Sequence, residues 1–213
     1  MKLCEWQKYA PNGLVYPWWT HPCLDWIETQ DWSNYTMLET GAGLGTAWLR
    51  SKCMWVDSIE SNLVWGAKVR DYCMANSKDN GALFIKELAE GVPEFMPKYL
   101  CMIPEDKQYD IISVDGIYRT EMVEWALKHL TKEGYSGAGI LIMDNENQDF
   151  VWISPKVGEM LKPYSNLLHT YYQPDHTNHE GKQWNTKVLL MNEIYDDTHL
   201  TNIITGHPDY RNG

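Results

Sequence analysis

The chain has 213 residues, with 18 lysines and arginines against 29 aspartates and glutamates, so its formal net charge is −11. Its length suits one domain, and a 44% hydrophobic content is enough for a packed core rather than a disordered chain. The acidic balance disfavours a protein that grips nucleic acid through phosphate contacts, and no apolar run approaches the roughly 20 residues of a membrane span.

Residues 1–34 form a polar and aromatic segment that contains several prolines, and we predict that it is an N-terminal lid or helical unit. The chain reaches an acid, Glu5, before any apolar signal core forms. Its five cysteines are widely spaced and form no Cys-x-x-Cys pair, which favours reduced thiols and a cytoplasmic location. A short helix is predicted over 22–28, with Thr20 as its N-cap.

From residue 35 to residue 145, apolar strands alternate with helices. The predicted strands cover 35–39, 54–59, 82–85, 109–115 and 138–143. The predicted helices cover 46–51, 62–74 and 120–130. This alternation implies parallel crossovers, and continuous apolar runs imply that helices cover both faces of the sheet. We therefore expect an α/β fold with a doubly wound, mostly parallel sheet.

The remaining segments complete the predicted organisation. Three prolines in 88–108 indicate a broken helix followed by a loop. Two further strands are predicted over 166–172 and 186–191, where they would add antiparallel strands at the edge of the sheet. The main domain is then expected over 35–192, and the polar residues 193–213 are expected to form a C-terminal arm.

A glycine-rich turn follows the first predicted strand at once. Glycines let the backbone turn tightly and approach a ligand, and the helix that follows offers free backbone N–H groups. A dinucleotide site of the Gly-x-Gly-x-x-Gly type would require glycine at position 46, where this chain has Thr46. The run that is present reads Glu39-x-Gly41-x-Gly43-x-Gly45.

That run resembles the first motif of the class I S-adenosylmethionine-dependent methyltransferases. The resemblance implies a Rossmann-like fold and S-adenosylmethionine as the cofactor. It implies that Glu39 faces the methionyl part of the cofactor. It also implies that the cofactor is lined by Gly41, Ala42, Gly43 and Gly45, with Asp115 nearby.

Members of this family also keep an acid at the end of the second strand, where it takes both ribose hydroxyls. Glu60 is the better-placed candidate for this role, because Asp57 falls inside the strand and could instead point to solvent or a turn. One carboxylate can accept from two vicinal hydroxyls, and charge-assisted hydrogen bonds are the stronger kind. The alternative is that Glu60 only caps the next helix.

Acids also follow the fourth and fifth predicted strands, as Asp115 and the pair Asp144-Asn145. The Asn/Asp-Pro-Pro-aromatic motif of nucleic-acid amino methyltransferases is absent, so no nucleic-acid partner is expected. The acids resemble instead the ligands of cation-dependent O-methyltransferases of the catechol type. That resemblance implies catalytic roles for Asp115 and Asp144, and a Mg²⁺-like ion held by both together with Asn145. The alternative is that Asp144 and Asn145 only shape a turn.

The catechol-type resemblance has one departure, because Tyr118 stands where that subfamily has a lysine base. We expect Tyr118 and Arg119 to face the substrate. Arg119 could bind a substrate carboxylate or phosphate, or form a surface ion pair with Glu121 or Glu124.

Two tryptophans, Trp18 and Trp19, lie ahead of the first strand. They are candidates for a lid that excludes water from the reaction, and the alternative is that they pack an N-terminal helix on the sheet.

The sequence therefore predicts a methyltransferase that uses S-adenosylmethionine on a small-molecule or glycan-like acceptor, with oxygen as the expected methylated atom. Neither a membrane nor a nucleic acid is an expected partner. Two other functions stay open: a nucleotide-cofactor oxidoreductase of the NAD type, and a non-catalytic binding module that keeps the fold.

Overall fold

The computed structural model describes residues 8–88, 99, 101–131, 139–144, 155–177 and 183–191. The strands are β1 (Thr36–Thr40), β2 (Trp55–Glu60), β3 (Leu83–Ile85), β4 (Ile111–Val114), β5 (Ile140–Asp144), β6 (Leu168–Thr177) and β7 (Gln183–Leu190). The helices are α1 (His21–Glu28), α2 (Thr46–Lys52), α3 (Leu63–Asn76), α4 (Arg119–His129) and α5 (Pro155–Leu161), the last continuing into a 3-10 helix over Lys162–Leu167.

These strands form one sheet in the order β3-β2-β1-β4-β5-β7-β6. The first five strands run parallel, whereas β7 lies antiparallel to both β5 and β6. The predicted parallel strands and the predicted antiparallel edge are therefore confirmed. Successive strands are added in one direction from β1 to β3 and in the other from β4 onward, so the strand order reverses between β1 and β4. Open α/β sheets bind ligands at such a reversal.

Hydrophobic cores lie on both faces of the sheet, which confirms the prediction from continuous apolar strands. Neighbouring residues of β1 point to opposite faces. Met37 belongs to the core that includes buried residues of α1 and α2, and Leu38 belongs to the core that includes buried residues of α4 and α5. The sheet is thus covered on both sides in the doubly wound manner.

The N-terminal segment contributes three buried tryptophans to the first of these cores. Trp19, Trp26 and Trp32 are 1–3% exposed, and they pack in the same core as residues of β1, β4 and β5. This accounts for part of the chain's unusual tryptophan content, 11 residues against 3 phenylalanines. The division of the chain at residues 34 and 192 stays a prediction, and the whole of the expected C-terminal arm lies outside the described residues.

Helix α1 confirms the predicted helix over 22–28 and Thr20 as its N-cap residue. Thr20 occupies the N-cap position without a capping hydrogen bond from its side chain. Its hydroxyl donates to the backbone oxygen of Tyr171, 3.2 Å away on β6. The Thr20 hydroxyl therefore bonds a strand carbonyl rather than a backbone N–H at the start of α1. Of the stretch predicted as a broken helix and loop, 88–108, residues 89–98 and 100 lie outside the described residues. In the part of the chain that is described, no helix is both long and apolar enough to cross a bilayer.

Candidate functional site

A cavity of about 460 Å³ opens at the carboxyl ends of β1 and β4, where the strand order reverses. Three pieces of chain build its wall: the glycine turn after β1, the ends of the two strands, and the N-terminal aromatic segment. The described residues that line it are Tyr16, Pro17, Trp18, Trp19, Glu39, Thr40, Gly41, Ala42, Gly43, Leu44, Gly45, Trp65, Ser113 and Asp115. Of the predicted cofactor residues, the structure therefore brings together all except Glu60.

Close backbone packing requires two of the glycines in the turn. Gly41 has a φ of +80°, and a Cβ there would lie 2.7 Å from the backbone nitrogen of Gly116 in the turn after β4. A Cβ at Gly45 would lie 2.5 Å from Cα of Pro17. At Gly43 the nearest atom would be 4.0 Å away, so that position has room for a side chain. The turn after β4 and the N-terminal segment thus both pack against the backbone of the glycine turn.

Glu39 is a buried acid one residue before the end of β1, beneath the glycine turn. Its Oε2 accepts from the hydroxyls of Thr46 at 2.7 Å and Ser58 at 2.8 Å. Burial raises the pKa of Glu39 to about 7, although the two hydroxyls act in the opposite direction. The oxygen of Thr46 also accepts from the backbone N–H of Gly43, at 3.2 Å.

Sequence reasoning missed Thr46 and Ser58 as site residues. Thr46 stood out in the sequence only as a departure from the dinucleotide motif. In the structure it connects Glu39 to the glycine turn. The signal that could have identified it is a hydroxyl residue at the start of α2, where such side chains bond nearby backbone N–H groups.

Asp115 is held in place by the turn and helix that follow it. Its Oδ1 accepts from the backbone N–H of Gly116 at 2.7 Å and pairs with the guanidinium of Arg119. Arg119 also donates to the backbone oxygens of Gly116 at 2.9 Å and Asp144 at 2.7 Å. Its side chain is only 9% exposed.

The predicted surface ion pair of Arg119 with Glu121 or Glu124 is therefore wrong. Glu124 pairs with Lys128 and Lys156 instead. The residue ahead of the helix explains the difference. Tyr118 has a φ of 55°, a left-handed conformation that reverses the chain and brings Arg119 back towards Asp115.

Glu60 and Asp57 on β2 occupy different environments. Glu60 is buried, its Oε1 accepts from the N–H of Asn62 at 2.7 Å, and burial raises its pKa. The alternative that Glu60 caps α3 does not hold, because the side chain of Asn62 is the cap and accepts from the N–H of Trp65 at 2.8 Å. The ribose-binding role of Glu60 stays a prediction.

Asp57 does not point to solvent or a turn, and that alternative is wrong. It is 2% exposed and accepts from the Trp55 indole at 2.7 Å, the Tyr109 hydroxyl at 2.8 Å and the Lys107 ammonium. Burial alone would raise the pKa of Asp57, but these three donors outweigh it and hold the pKa below its usual value.

The predicted metal ligands do not form a metal site in the described part of the chain. Asp144 is 2% exposed and accepts from the hydroxyl of Thr186 at 2.9 Å, and it is not among the residues that line the cavity. The third ligand, Asn145, lies outside the described residues. No group of three or more His, Cys, Asp and Glu side chains within the described ranges is arranged to hold a metal ion. With Asp115 paired to Arg119, these residues do not fit a divalent cation.

The predicted substrate-facing aromatics divide into two groups. Trp18 is 52% exposed and Trp19 is buried, and both line the cavity beside Trp65, whose indole N–H donates to the oxygen of Ala42 at 2.8 Å. Tyr118 does not line it. Its ring is buried, and its centroid lies 5.9 Å from that of Tyr99 in the core that includes α4.

Comparison with known proteins gives structural relatives only. No family model matches the chain, and no curated protein matches its sequence. The N-methyltransferase NodS from Bradyrhizobium japonicum is similar with a TM-score of 0.54 and 12% identity, over 80% of this chain and 93% of that one. An rRNA methylase from Streptococcus thermophilus has the same score and identity, over 81% and 96%. TYW2 from M. jannaschii, solved in complex with AdoMet, has a TM-score of 0.50 and 12% identity, over 83% and 80%.

The chain therefore has the Rossmann-like fold of the class I S-adenosylmethionine-dependent methyltransferases. This confirms, at the level of the fold, the resemblance first indicated by the glycine motif. At 12% identity the likeness establishes the fold alone, so the activity has to be argued from the cavity.

Proposed function

We propose that the chain binds S-adenosylmethionine in this cavity and transfers its methyl group to a small-molecule acceptor. The observation that carries the proposal is the chemistry of the wall. It presents the carboxylates of Glu39 and Asp115 together with three tryptophans, and no lysine, arginine or histidine is among its described residues. S-adenosylmethionine carries a sulfonium and an ammonium group. Carboxylates and aromatic faces attract both cations.

The same wall argues against a dinucleotide. A pyrophosphate needs free N–H donors at the glycine turn. Here the N–H groups of Gly41 and Ala42 donate to the backbone oxygen of Ile59, at 2.9 Å and 3.0 Å, and that of Gly43 donates to Thr46. The two carboxylates would in addition repel a pyrophosphate. These contacts favour the methyltransferase over the NAD-type oxidoreductase.

Each cavity carboxylate has one oxygen to offer a ligand. The hydrogen bonds that Glu39 and Asp115 make within the described chain all use Oε2 of the first and Oδ1 of the second. The other oxygens can accept from the ammonium and hydroxyl groups of the cofactor, and we assign the ribose to Glu60. When bound, S-adenosylmethionine supplies a methyl group that its sulfonium already activates. The chain's contribution is then to hold acceptor and methyl in line and to keep water out.

The acceptor would enter beside the aromatic part of the wall. Trp18 offers an exposed ring there, and Tyr16, Trp19 and Trp65 continue the aromatic surface. A wall with aromatic faces and acids suits a neutral or cationic molecule with a flat or apolar body better than an anion. Oxygen remains the methylated atom that we expect. This expectation rests on the sequence resemblance alone.

Ligand-induced changes in melting temperature test the proposal. We expect S-adenosylhomocysteine to raise the melting temperature, since a ligand at 100 times its Kd stabilises the native state by about 2.7 kcal/mol. NADH should leave the melting temperature unchanged. Glu39→Gln should lose most of the shift, whereas Glu124→Gln, which removes an exposed acid, should keep it.

Each of the other outcomes would contradict the proposal. A shift with NADH and none with S-adenosylhomocysteine would favour the oxidoreductase. The absence of a shift with S-adenosylhomocysteine and with S-adenosylmethionine would favour a non-catalytic module.

A further inference from the structure

The aromatic segment that walls the cavity is attached to the antiparallel edge of the sheet at Thr20. This residue directly follows Trp18 and Trp19. Its backbone N–H donates to Oγ1 of Thr186 on β7, at 3.0 Å, and its hydroxyl donates to Tyr171 on β6. Thr20 is 1% exposed and Thr186 is fully buried, so water cannot substitute for the bond between them.

The next residue, His21, is also bonded to β6. The N–H of His21 donates to Oε1 of Gln173 at 2.8 Å, and the amide nitrogen of Gln173 lies 3.1 Å from Nδ1 of His21. The carboxyl-terminal end of the aromatic segment is thus held to both antiparallel strands, β6 and β7. At its other end the segment packs through Pro17 against the backbone of Gly45.

Asp144 fixes the direction in which the Thr186 hydroxyl can act. A threonine hydroxyl has one proton to donate, and an ionised carboxylate can only accept. The proton of Thr186 is directed to Oδ1 of Asp144, 2.9 Å away, so its lone pairs are left to accept from Thr20. Thr186 lies opposite Asp144 on β5 and opposite Tyr171 on β6. The Thr186 side chain therefore joins β5 and β7 to the aromatic segment, and β6 holds the same residue, Thr20, through the backbone oxygen of Tyr171.

The same network reaches the cavity from the other side. The backbone oxygen of Asp144 accepts from Arg119, and Arg119 pairs with the cavity carboxylate of Asp115. Asp144, which the sequence marks as a candidate catalytic residue, thus lies between the attachment of the aromatic segment and one of the acids of the site.

We infer that Thr186, oriented by Asp144, is a positioning residue that holds Trp18 and Trp19 over the bound S-adenosyl ligand. The inference rests on the proposed function for the identity of that ligand. It assigns Asp144 to the support of the wall rather than to the reacting atoms.

Replacing the hydroxyl tests the inference directly. Thr186→Val keeps the shape of the side chain and removes both hydrogen bonds, whereas Thr186→Ser keeps the hydroxyl. Because the valine takes away the acceptor of the Thr20 amide and the hydroxyl that donates to Oδ1 of Asp144, we expect S-adenosylhomocysteine to dissociate about tenfold faster from Thr186→Val. The serine variant should behave like the wild type. In hydrogen exchange, the amides of residues 18–21 should lose protection in the valine variant alone.

The chain offers a matched control at the other end of the sheet. Thr131 donates to Oδ1 of Asp110 at 3.1 Å, ahead of the amino end of β4. Thr131→Val removes a threonine–aspartate bond of the same kind, so it should lower stability without changing ligand dissociation or exchange at residues 18–21. Equal effects of the two valine variants would overturn the inference, as would a Thr186→Val variant that matches the wild type in both readouts.

A second pair of variants leaves Thr186 and Asp144 intact, in case Thr186→Val does not fold. Thr20 has a φ of −61°, which proline adopts without strain, so Thr20→Pro removes the amide donor together with the hydroxyl and requires no new φ. Thr20→Ala removes only the hydroxyl. We expect faster dissociation and faster exchange at residues 18–21 in Thr20→Pro than in Thr20→Ala, and equal values in the two would contradict the role of the Thr186 bond. If the wild type binds no S-adenosylhomocysteine, the proposed function fails, and the exchange measurement still tests the attachment.

Discussion

At the scale of single residues, Glu39 connects binding to stability. Burial raises its pKa to about 7 in the native state, against about 4.3 in an unfolded chain. The native state therefore holds this proton more tightly than the unfolded state does. The stability that this contributes is fully present below about pH 4 and is lost as the pH rises through 7.

Glu39→Gln should remove this pH dependence. Its amide oxygen can still accept from Thr46 and Ser58, but the side chain no longer has to ionise in a buried position. The free energy of unfolding of the variant, relative to that of the wild type, should rise between pH 5 and pH 8 by on the order of 1–3 kcal/mol. Urea denaturation at the two pH values measures the change. A difference between variant and wild type that does not vary with pH would contradict the raised pKa.

Asp57→Asn is the control, because its effect on the free energy of unfolding should depend on pH in the opposite direction. The pKa of Asp57 is held low, with Lys107 and Tyr109 among its donors, so its contribution to stability is present at neutral pH and is lost as the pH falls through the native pKa. The asparagine variant should therefore lose more stability at pH 8 than at low pH. Opposite trends at these two positions would show that the partners of each acid, and not burial alone, determine its effect.

At the scale of elements, the turns after β1 and β4 meet backbone to backbone. Gly41→Ala places a methyl group 2.7 Å from Gly116 at a positive φ, so we expect it to lower the free energy of unfolding by at least about 2 kcal/mol. Gly43→Ala is the matched control in the same turn. It meets no atom closer than 4.0 Å and should change stability by less than about 1 kcal/mol. Equal losses in denaturation experiments would mean that the turns do not support each other.

The elements also show which features can be predicted from the sequence and which cannot. The alternating strands, the glycine turn and its acid are local patterns, and the sequence predicted each of them. The partners of Arg119 could not be predicted, because they depend on the left-handed conformation of Tyr118. Those of Thr20 could not be predicted either, because they lie on strands far along the chain. Thr46 was identified as the residue that breaks the dinucleotide motif, but its bond to Glu39 depends on the path of the glycine turn between them.

At the scale of the whole molecule, charge separates possible acceptors. One structure with the same fold is that of an rRNA methylase, so the fold alone leaves RNA open as an acceptor. RNA binding without sequence preference comes from lysine and arginine that neutralise phosphates, and it weakens as salt rises. This chain has a net charge of −11, and the described wall of its cavity presents acids and no cationic side chain.

We therefore expect the protein not to retain RNA. In a filter-binding assay, total tRNA should show no saturable retention at about 150 mM salt, close to physiological ionic strength. Lowering the salt should increase the amount of retained tRNA only slightly. The chain lacks the excess of lysine and arginine that would release counterions from a phosphate backbone. The same preparation should bind S-adenosylhomocysteine, which shows that it is folded. Saturable tRNA binding at 150 mM salt, weakened on raising the salt, would contradict a small-molecule acceptor and would require a basic surface away from the described wall of the cavity.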